Sequence, residues 1–286
     1  MRLKADLLLF LVAIIWGTAF VAQGIAGQYH LAYLFNGVSF MLASLILIPF
    51  IPRGQKMPRG QWLWMLVAGL VLFAATALQQ VGIFYTKVAN AGFLTSLYTV
   101  FTPFLLFILF REKPHWLDGI AVTMAVIGAF LLSTGGRLQL QPGDALEIAG
   151  SLFWALHFVV LGKFASQFES ISFASGHFFI CGLMNLILGL FLEPPSLLMA
   201  LPVLGAILYR ATLSIGVGYT LQVWAQKHTP PTDAALILGL EAVFAVIAGW
   251  LALGQNLLPV QITGCVIIFL AVMVSQYKGR RMKAEG

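Results

Sequence analysis

Two ionisable residues lie within long apolar stretches of this sequence, where charge is costly. Arg210 and Glu241 each fall inside an apolar run long enough to cross a bilayer. An ionisable group at membrane depth usually faces protein or a water-filled cavity. A rise of about 1.5 Å per residue in two helices running in opposite directions places them roughly 10 Å apart in depth. A molecule with a carboxylate and an ammonium would fit between them. The alternative is a structural role, with each other or with backbone carbonyls as partners.

Uncharged polar residues repeat at helical spacing in other apolar runs. Thr76, Gln79 and Gln80 are three and four positions apart, so they share one face of a helix. Hydroxyl groups in membrane helices often bond only to the backbone or to a neighbouring helix. Burying the amide groups of two glutamines is costlier than burying hydroxyl groups, which favours positions where Gln79 and Gln80 face a cavity. Further candidates of this kind are Thr95, Tyr98, Thr99, Thr102, Ser151 and Ser214.

Aromatic and histidine side chains also lie deep in the apolar runs. Trp16 and Trp154 are far from the run ends, where most other tryptophans fall as an aromatic belt would place them. Such residues usually pack against neighbours, and the alternative is that they form the wall of a cavity. His157 could relay a proton near neutral pH, although a lone membrane histidine is more often a hydrogen-bonded structural residue. No metal site, disulfide or cofactor is expected.

The composition excludes a water-soluble particle. Hydrophobic residues make up 60% of the 286 positions and charged residues only 9%, whereas soluble domains carry about 25% charge. Lipid must therefore solvate much of the surface. The formal charge of +6 comes from short clusters between apolar runs. That pattern is typical of contact with anionic membrane lipids rather than with nucleic acid.

Ten apolar runs follow one another with short polar connections, and each approaches the roughly 20 residues that cross a bilayer core. The strands of a membrane barrel would show about ten residues of alternating polarity, which do not occur here. The predicted fold is therefore an all-α integral membrane protein of ten transmembrane helices. The runs are Ala5–Ala26, Leu31–Ile51, Trp62–Tyr85, Ala91–Phe110, Trp116–Thr134, Ala145–Ala165, Ile171–Leu192, Pro202–Gln226, Asp233–Leu253 and Leu258–Gln276.

Lysine and arginine are concentrated on one side of the predicted bundle. The other side receives only Lys87 and Arg137. Because cytoplasmic loops carry the excess of positive charge, both termini are expected in the cytoplasm and the protein in a bacterial-type inner membrane. The residues on the basic side are Arg2, Lys4, Arg53, Lys56, Arg59, Arg111, Lys113, Lys163, Lys227, Lys278, Arg280, Arg281 and Lys283.

The two halves of the sequence resemble each other. The first runs of the halves align so that Trp16 pairs with Trp154, and the fourth runs align so that Tyr98 pairs with Glu241. Each half has five spans, so the second copy must enter the membrane from the opposite side. This is an inverted repeat, which many secondary transporters use for alternating access. The predicted division is a first repeat at 1–135, a second repeat at 142–277 and a basic cytoplasmic tail at 278–286.

A set of short motifs is distributed along the helices: the dipeptide Trp16-Gly17, the segment Ala89–Leu94, Tyr98, Val100, Pro103, the turn Arg111–Pro114, Gly119 and Gly128. Through these residues the chain resembles the drug/metabolite transporter superfamily, specifically its ten-helix EamA-type members, over essentially its whole length. The second repeat departs from the family pattern: Gln255 stands where an acidic residue is expected, and Val246 replaces the proline that Pro103 keeps in the first repeat.

The resemblance implies a basket of helices around a central cavity. Helices one, three, four, six, eight and nine would line this cavity, with helices five and ten at the periphery. Members resemble exporters of amino acids and related metabolites in one branch, and carriers of sugars, nucleotide sugars or drugs in others. The candidate cavity residues of this chain are Trp16, Gln79, Gln80, Tyr98, Trp154, His157, Arg210, Ser214 and Glu241.

A membrane-embedded enzyme and a channel are the competing classes of function. The sequence has no HExxH zinc motif, no P-loop and no serine or paired-aspartate arrangement for intramembrane proteolysis. Channels commonly build their symmetry from several subunits, whereas here it lies within one chain. That favours a monomeric carrier of a small molecule, with a dimer as the alternative. The leading prediction is amino-acid export, and nucleotide-sugar or drug transport is the alternative.

The predicted mechanism is alternating access, in which the two five-helix halves close the cavity on each side in turn. Glu241 and His157 are the residues that could carry a coupled proton. Glycines within the helices would allow the close approach or bending that such movement needs. They are Gly17, Gly24, Gly92, Gly216 and Gly218.

Overall fold

The structure is a computed structural model that describes residues 1–52, 54, 58, 60–86, 88–137, 139–253 and 258–284. Within these ranges, the side chains of residues 88–90, 166, 249–253 and 278–284 are outside the description. Several predictions made above therefore fall on residues or side chains that are not described. They concern Arg53, Lys56, Arg59, Lys87, Gln255 and the basic side chains of the tail.

Within the described ranges, ten helices are long and apolar enough to cross a membrane, and each overlaps one of the ten predicted runs. The described residues contain no β-strand. The ten-helix, all-α prediction is therefore confirmed. The helices are α1 (Arg2–Gln28), α2 (Tyr33–Phe50), α3 (Gln61–Tyr85), α4 (Ala91–Phe110), α5 (Trp116–Thr134), α6 (Asp144–Lys163), α7 (Ser170–Leu192), α8 (Leu201–Ala225), α9 (Pro231–Ala248) and α10 (Pro259–Tyr277).

The helices differ in how much of their surface the rest of the bundle covers. In α9, 72% of the most apolar stretch is buried, against 39% in α5 and 22% in α10. The lipid-facing helices α5 and α10 pack against each other where Gly128 meets Gly264: a Cβ on Gly128 would stand 2.8 Å from the Gly264 carbonyl oxygen. Small residues at such contacts let two membrane helices approach closely.

The glycine contact between α5 and α10 yields a stability prediction. Gly128→Ala is expected to lower the unfolding temperature in detergent, because the new methyl group would meet Ile268 at 2.7 Å as well as the Gly264 backbone. Overpacking of this kind costs about 1–3 kcal/mol. Gly119→Ala is the matched control in the same helix, since no described atom lies within 4 Å of its Cβ position. Equal melting temperatures for the two variants would contradict the packing.

The regular α-helix is interrupted near the middle of both α4 and α9, at positions that the repeat pairs, and we call these two interruptions kinks. In α4 the regular helix stops at Thr95 and resumes at Tyr98, and in α9 it stops at Leu238 and resumes at Glu241. Hydroxyl groups satisfy part of the α4 backbone, since Thr99 Oγ1 donates to the Ser96 carbonyl at 2.8 Å. Because Val246 stands in α9 where α4 has Pro103, the α9 kink does not depend on a proline.

The sequence predicts one continuous helix over Pro202–Gln226, but α8 is not a uniform α-helix. It begins as an α-helix over Leu201–Tyr209, widens into a π-helix over Arg210–Tyr219 and returns to α-helix over Thr220–Ala225. π-Helical segments are rare and occur frequently at functional sites. This one holds Arg210 and Ser214, so the wider turn determines where both residues face.

Candidate functional site

A small cavity lies at the centre of the bundle, at the level of the two kinks. Helices α1, α3, α4, α6, α8 and α9 all contribute to its wall, and these are the six that the resemblance implied. Its volume is about 30 Å³, which leaves room for only one or a few water molecules. The lining residues are Trp16, Ala19, Phe20, Gln23, Gln79, Thr95, Tyr98, Trp154, Phe158, Arg210, Ser214, Tyr219 and Glu241.

Two of the nine residues predicted from the sequence, Gln80 and His157, do not line the cavity. Gln80 Nε2 donates to the Gln23 carbonyl of α1 at 3.0 Å, which is a contact between helices. His157 is fully buried behind Trp154, with its ring centroid 5.6 Å from that of His177 on α7. The seven that do line it are Trp16, Gln79, Tyr98, Trp154, Arg210, Ser214 and Glu241.

A hydrogen bond joins the two repeats across the cavity. Tyr98, the first residue after the kink of α4, donates its hydroxyl to Glu241 Oε1 at 3.0 Å. Glu241 is the first residue after the kink of α9, where the helix dipole favours a carboxylate. These two residues are partners in the repeat alignment. Their contact therefore lies where the two halves of the molecule meet.

The Arg210 guanidinium is 4% exposed, and no described carboxylate pairs with it. Its Nε and Nη1 atoms lack hydrogen-bond partners among the described residues. The guanidinium carbon lies 5.0 Å from the ring centroid of Phe35 and 5.8 Å from that of Phe40, both on α2. These aromatic faces stabilise the positive charge in part. Donors remain free for an anionic group at the cavity.

Aromatic rings form much of the cavity wall. Trp16 and Tyr219 have ring centroids 4.4 Å apart, and Trp154 stacks with Tyr219 at a centroid distance of 6.0 Å. Trp16 Nε1 donates to the Ser214 carbonyl at 3.0 Å, which fixes the indole against the π-helical segment. A Cβ on Gly218 would stand 2.6 Å from that nitrogen. Glycine is therefore required there for the tryptophan to reach α8.

A second buried carboxylate lies behind the wall, and the sequence analysis did not select it. Gln79 Nε2 donates to Thr95 Oγ1 at 2.9 Å, and Thr95 Oγ1 donates to Glu147 Oε2 at 3.2 Å. Glu147 is fully buried, and its other carboxylate oxygen has no partner among the described residues. It was overlooked because it stands in the first turn of α6, where a carboxylate is ordinary. Its counterpart in the repeat is Leu9, so the alignment gave no signal.

Other polar residues of the predicted faces have local partners. The hydroxyl groups of Thr76, Thr102 and Ser151 donate to carbonyls of the preceding turn, at 2.9, 2.6 and 2.7 Å. Such back-bonding satisfies a hydroxyl within its own helix. These three residues are therefore structural.

A wider cavity of about 490 Å³ lies at the face of the bundle where α4, α6 and α8 end. Its wall includes the ion pair between Lys163 and Glu112. Burial lowers the pKa of Lys227, an effect that the charge of Glu169 opposes, and the Lys227 ammonium donates to the Phe168 carbonyl at 2.5 Å. At this face α6 and α9 are in close contact: a Cβ on Gly162 would stand 2.4 Å from Pro231.

Comparison with known proteins places this architecture among membrane transporters. A relative from Archaeoglobus fulgidus, named an uncharacterized transporter, is 31% identical over 96% of this chain and 86% of its own length. The Escherichia coli protein YedA, named an uncharacterized inner membrane transporter, is 26% identical over 93% and 89%. One solved crystal structure superposes with a TM-score of 0.82 at 17% identity over 99% of both chains, which shows a shared fold.

The class defined by fold and cavity is thus a multi-pass membrane transporter. The profile of the EamA-like transporter family matches residues 3–134 and again residues 141–277. The chain belongs to the EamA-like transporter family.

Proposed function

We propose that this transporter exports small zwitterionic metabolites, with amino acids as the leading class. The observation that carries the proposal is the presence of Arg210 and Glu241 in the wall of one cavity without an ion pair between them. A buried cation and a buried carboxylate that do not pair with each other suit a ligand that carries both opposite charges.

The proposed roles follow from the hydrogen-bonding capacity of each group. The Arg210 guanidinium has nitrogen atoms without partners among the described residues and would bind the carboxylate of the ligand. Glu241 would bind the ammonium, while the Tyr98 hydroxyl keeps its carboxylate oriented. Trp16, Trp154 and Tyr219 supply apolar faces for a side chain. The Gln79–Thr95–Glu147 chain lies behind the wall and would tune its polarity.

The small volume of the cavity supports a carrier that changes conformation rather than a channel. A volume of about 30 Å³ is far below the roughly 300–1,000 Å³ of pockets that hold small ligands. The cavity must therefore widen to admit a metabolite. The kinks of α4 and α9 are where these helices would bend, and both lie at the cavity.

The distribution of lysine and arginine supports a cytoplasmic location for both termini, and the name of the Escherichia coli relative supports an inner membrane. Small-molecule transport, rather than an enzymatic reaction, accounts for the cavity and for the names of the relatives. One chain contains all six cavity helices, which supports a monomer as the transporting unit.

The experiment that tests the proposal is uptake of labelled amino acids into proteoliposomes containing the purified protein. Saturable uptake of one or more amino acids is expected. Its response to an imposed pH gradient distinguishes proton-coupled from downhill transport. If no amino acid is transported while a sugar, nucleotide sugar or cationic drug is, the proposed substrate class is wrong and the family assignment stands.

A further inference from the structure

Two hydrogen bonds between a threonine and an aspartate occupy equivalent positions in the two repeats. Thr86 Oγ1 donates to Asp144 Oδ1 at 2.5 Å, and Thr229 Oγ1 donates to Asp6 Oδ1 at 2.7 Å. The offset that pairs Trp16 with Trp154 also pairs Asp6 with Asp144. The offset that pairs Tyr98 with Glu241 also pairs Thr86 with Thr229. Inverted topology puts the two bonds at opposite faces of the bundle.

Each bond ties the loop before a kinked helix to the first helix of the other repeat. Thr86 lies between α3 and α4 and bonds to the first residue of α6, whereas Thr229 lies between α8 and α9 and bonds to α1. The second carboxylate oxygen is also engaged at both places. Gln141 N donates to Asp144 Oδ2 at 2.8 Å, and Arg2 Nε lies 3.7 Å from Asp6 Oδ2.

We propose that these bonds are paired latches of the transport cycle, and that each one holds the cavity closed at its own face. Each threonine precedes a short half-helix that forms the start of a kinked helix: Val88–Thr95, which runs into α4, or Pro231–Leu238, at the start of α9. Each half-helix ends at a kink beside the cavity. Breaking a latch frees its half-helix to swing outward on that kink, which opens one face while the other stays closed. Both latches are intact here, as the small cavity requires.

The two latches are not equally strong. At the face of Asp6, Arg2 Nη2 also donates to Asp233 Oδ2 at 2.5 Å, and Ser275 Oγ donates to Asp233 Oδ1 at 2.9 Å. Asp233 is fully buried, so these charge-assisted bonds are protected from solvent screening. Among the described residues, the donor to Asp144 Oδ2 is the backbone N–H of Gln141, where Asp6 has the charged Arg2 side chain. The face of Asp144 should therefore open more readily.

The test measures access to the cavity from each face separately, and it does not depend on the substrate. Ala19→Cys, in a variant lacking Cys181 and Cys265, places one thiol in the cavity wall. A membrane-impermeant maleimide is then added to right-side-out or to inside-out vesicles, and the rate of labelling is measured. Thr86→Val and Thr229→Val remove the two hydroxyl groups while keeping the side-chain shape.

Thr86→Val should raise the labelling rate from the face of Asp144 roughly tenfold, because bonds to charged groups contribute on that order, with no rise from the other face. Thr229→Val should raise the labelling rate from the face of Asp6, with no rise from the face of Asp144. The factor should be smaller than for Thr86→Val and should increase when Asp233→Asn is added. Thr86→Ser should restore the parent rate. Thr123→Val is the matched control, because that exposed hydroxyl bonds only within α5.

The sided pattern distinguishes a latch from a structural contact. If either variant changed labelling equally from both faces, or if neither changed it, the proposal would be overturned. Asp144→Asn and Asp6→Asn weaken the same bonds from the other partner and should give the same sided pattern if a valine variant does not fold. Failure of amino-acid transport would leave this result unaffected, since no transported substrate enters the assay.

Discussion

Arg210→Ala is expected to abolish transport while the protein still inserts into the membrane and purifies normally. The guanidinium is buried, two of its nitrogen atoms have no described partner, and no described carboxylate depends on it for charge balance. Removing it therefore deprives the bound substrate of a charge-assisted hydrogen bond, while the free energy of unfolding of the protein changes little. Truncating one partner of a buried, hydrogen-bonded charge pair weakens binding by roughly 2–5 kcal/mol. In kcat/KM this is a loss of at least roughly 30-fold.

The measurement is uptake into proteoliposomes at matched protein content. Arg210→Lys keeps the charge but loses the planar fork, so it should recover only part of the activity. Arg137→Ala is the control, because Arg137 is exposed in the connection between α5 and α6 and should be replaceable without effect. Unchanged uptake by Arg210→Ala would remove this residue from the site.

Glu241→Gln is expected to raise the KM for an amino acid by roughly 10- to 100-fold. The amide oxygen can still accept the Tyr98 hydroxyl, so the wall should keep its shape while it loses the charge that attracts an ammonium. Tyr98→Phe should have a smaller effect, because the carboxylate remains and loses only its orienting donor.

Initial rates over a range of substrate concentrations separate KM from kcat for these variants. Glu112→Gln is the control: its carboxylate is half-exposed in an ion pair with Lys163, and exposed pairs contribute about 0–1 kcal/mol. A KM that stays at the parent value in Glu241→Gln would show that the ammonium binds elsewhere, with Glu147 as the next residue to replace.

Much of the architecture could be predicted from the sequence, because lipid imposes strong constraints on composition. Every span needs a long apolar run, so the ten helices were found with ends that differ little from the structure. The repeat pairs Trp16 with Trp154 and Tyr98 with Glu241, and the inversion brings these equivalent residues to the centre. Arg210, Gln79 and Ser214 were selected instead as polar or charged residues inside apolar runs, which usually face protein or a cavity. Together these seven of the nine selected side chains line the cavity.

What could not be predicted depends on contacts between helices. The π-helical segment of α8 is held in part by Trp16, which reaches a carbonyl nearly two hundred positions away in the chain. Gln80 has the same spacing and chemistry as Gln79, and only the packing of α1 turns it to a backbone carbonyl. Glu147 is near a helix end in the sequence, and its burial depends on the close approach of Gly82, where an added Cβ would meet its carboxylate at 2.6 Å.

The most direct test of the central claim is a binding experiment with three ligands and three proteins. The ligands are a transported amino acid, the corresponding amine without the carboxylate, and the corresponding acid without the amine. The proteins are the parent, Arg210→Ala and Glu241→Gln. We expect the amine to bind the parent and Arg210→Ala equally, and the acid to bind the parent and Glu241→Gln equally. The amino acid should bind both variants more weakly than it binds the parent. Equal losses for amine and acid in both variants would contradict a cavity that holds a zwitterion between these two residues.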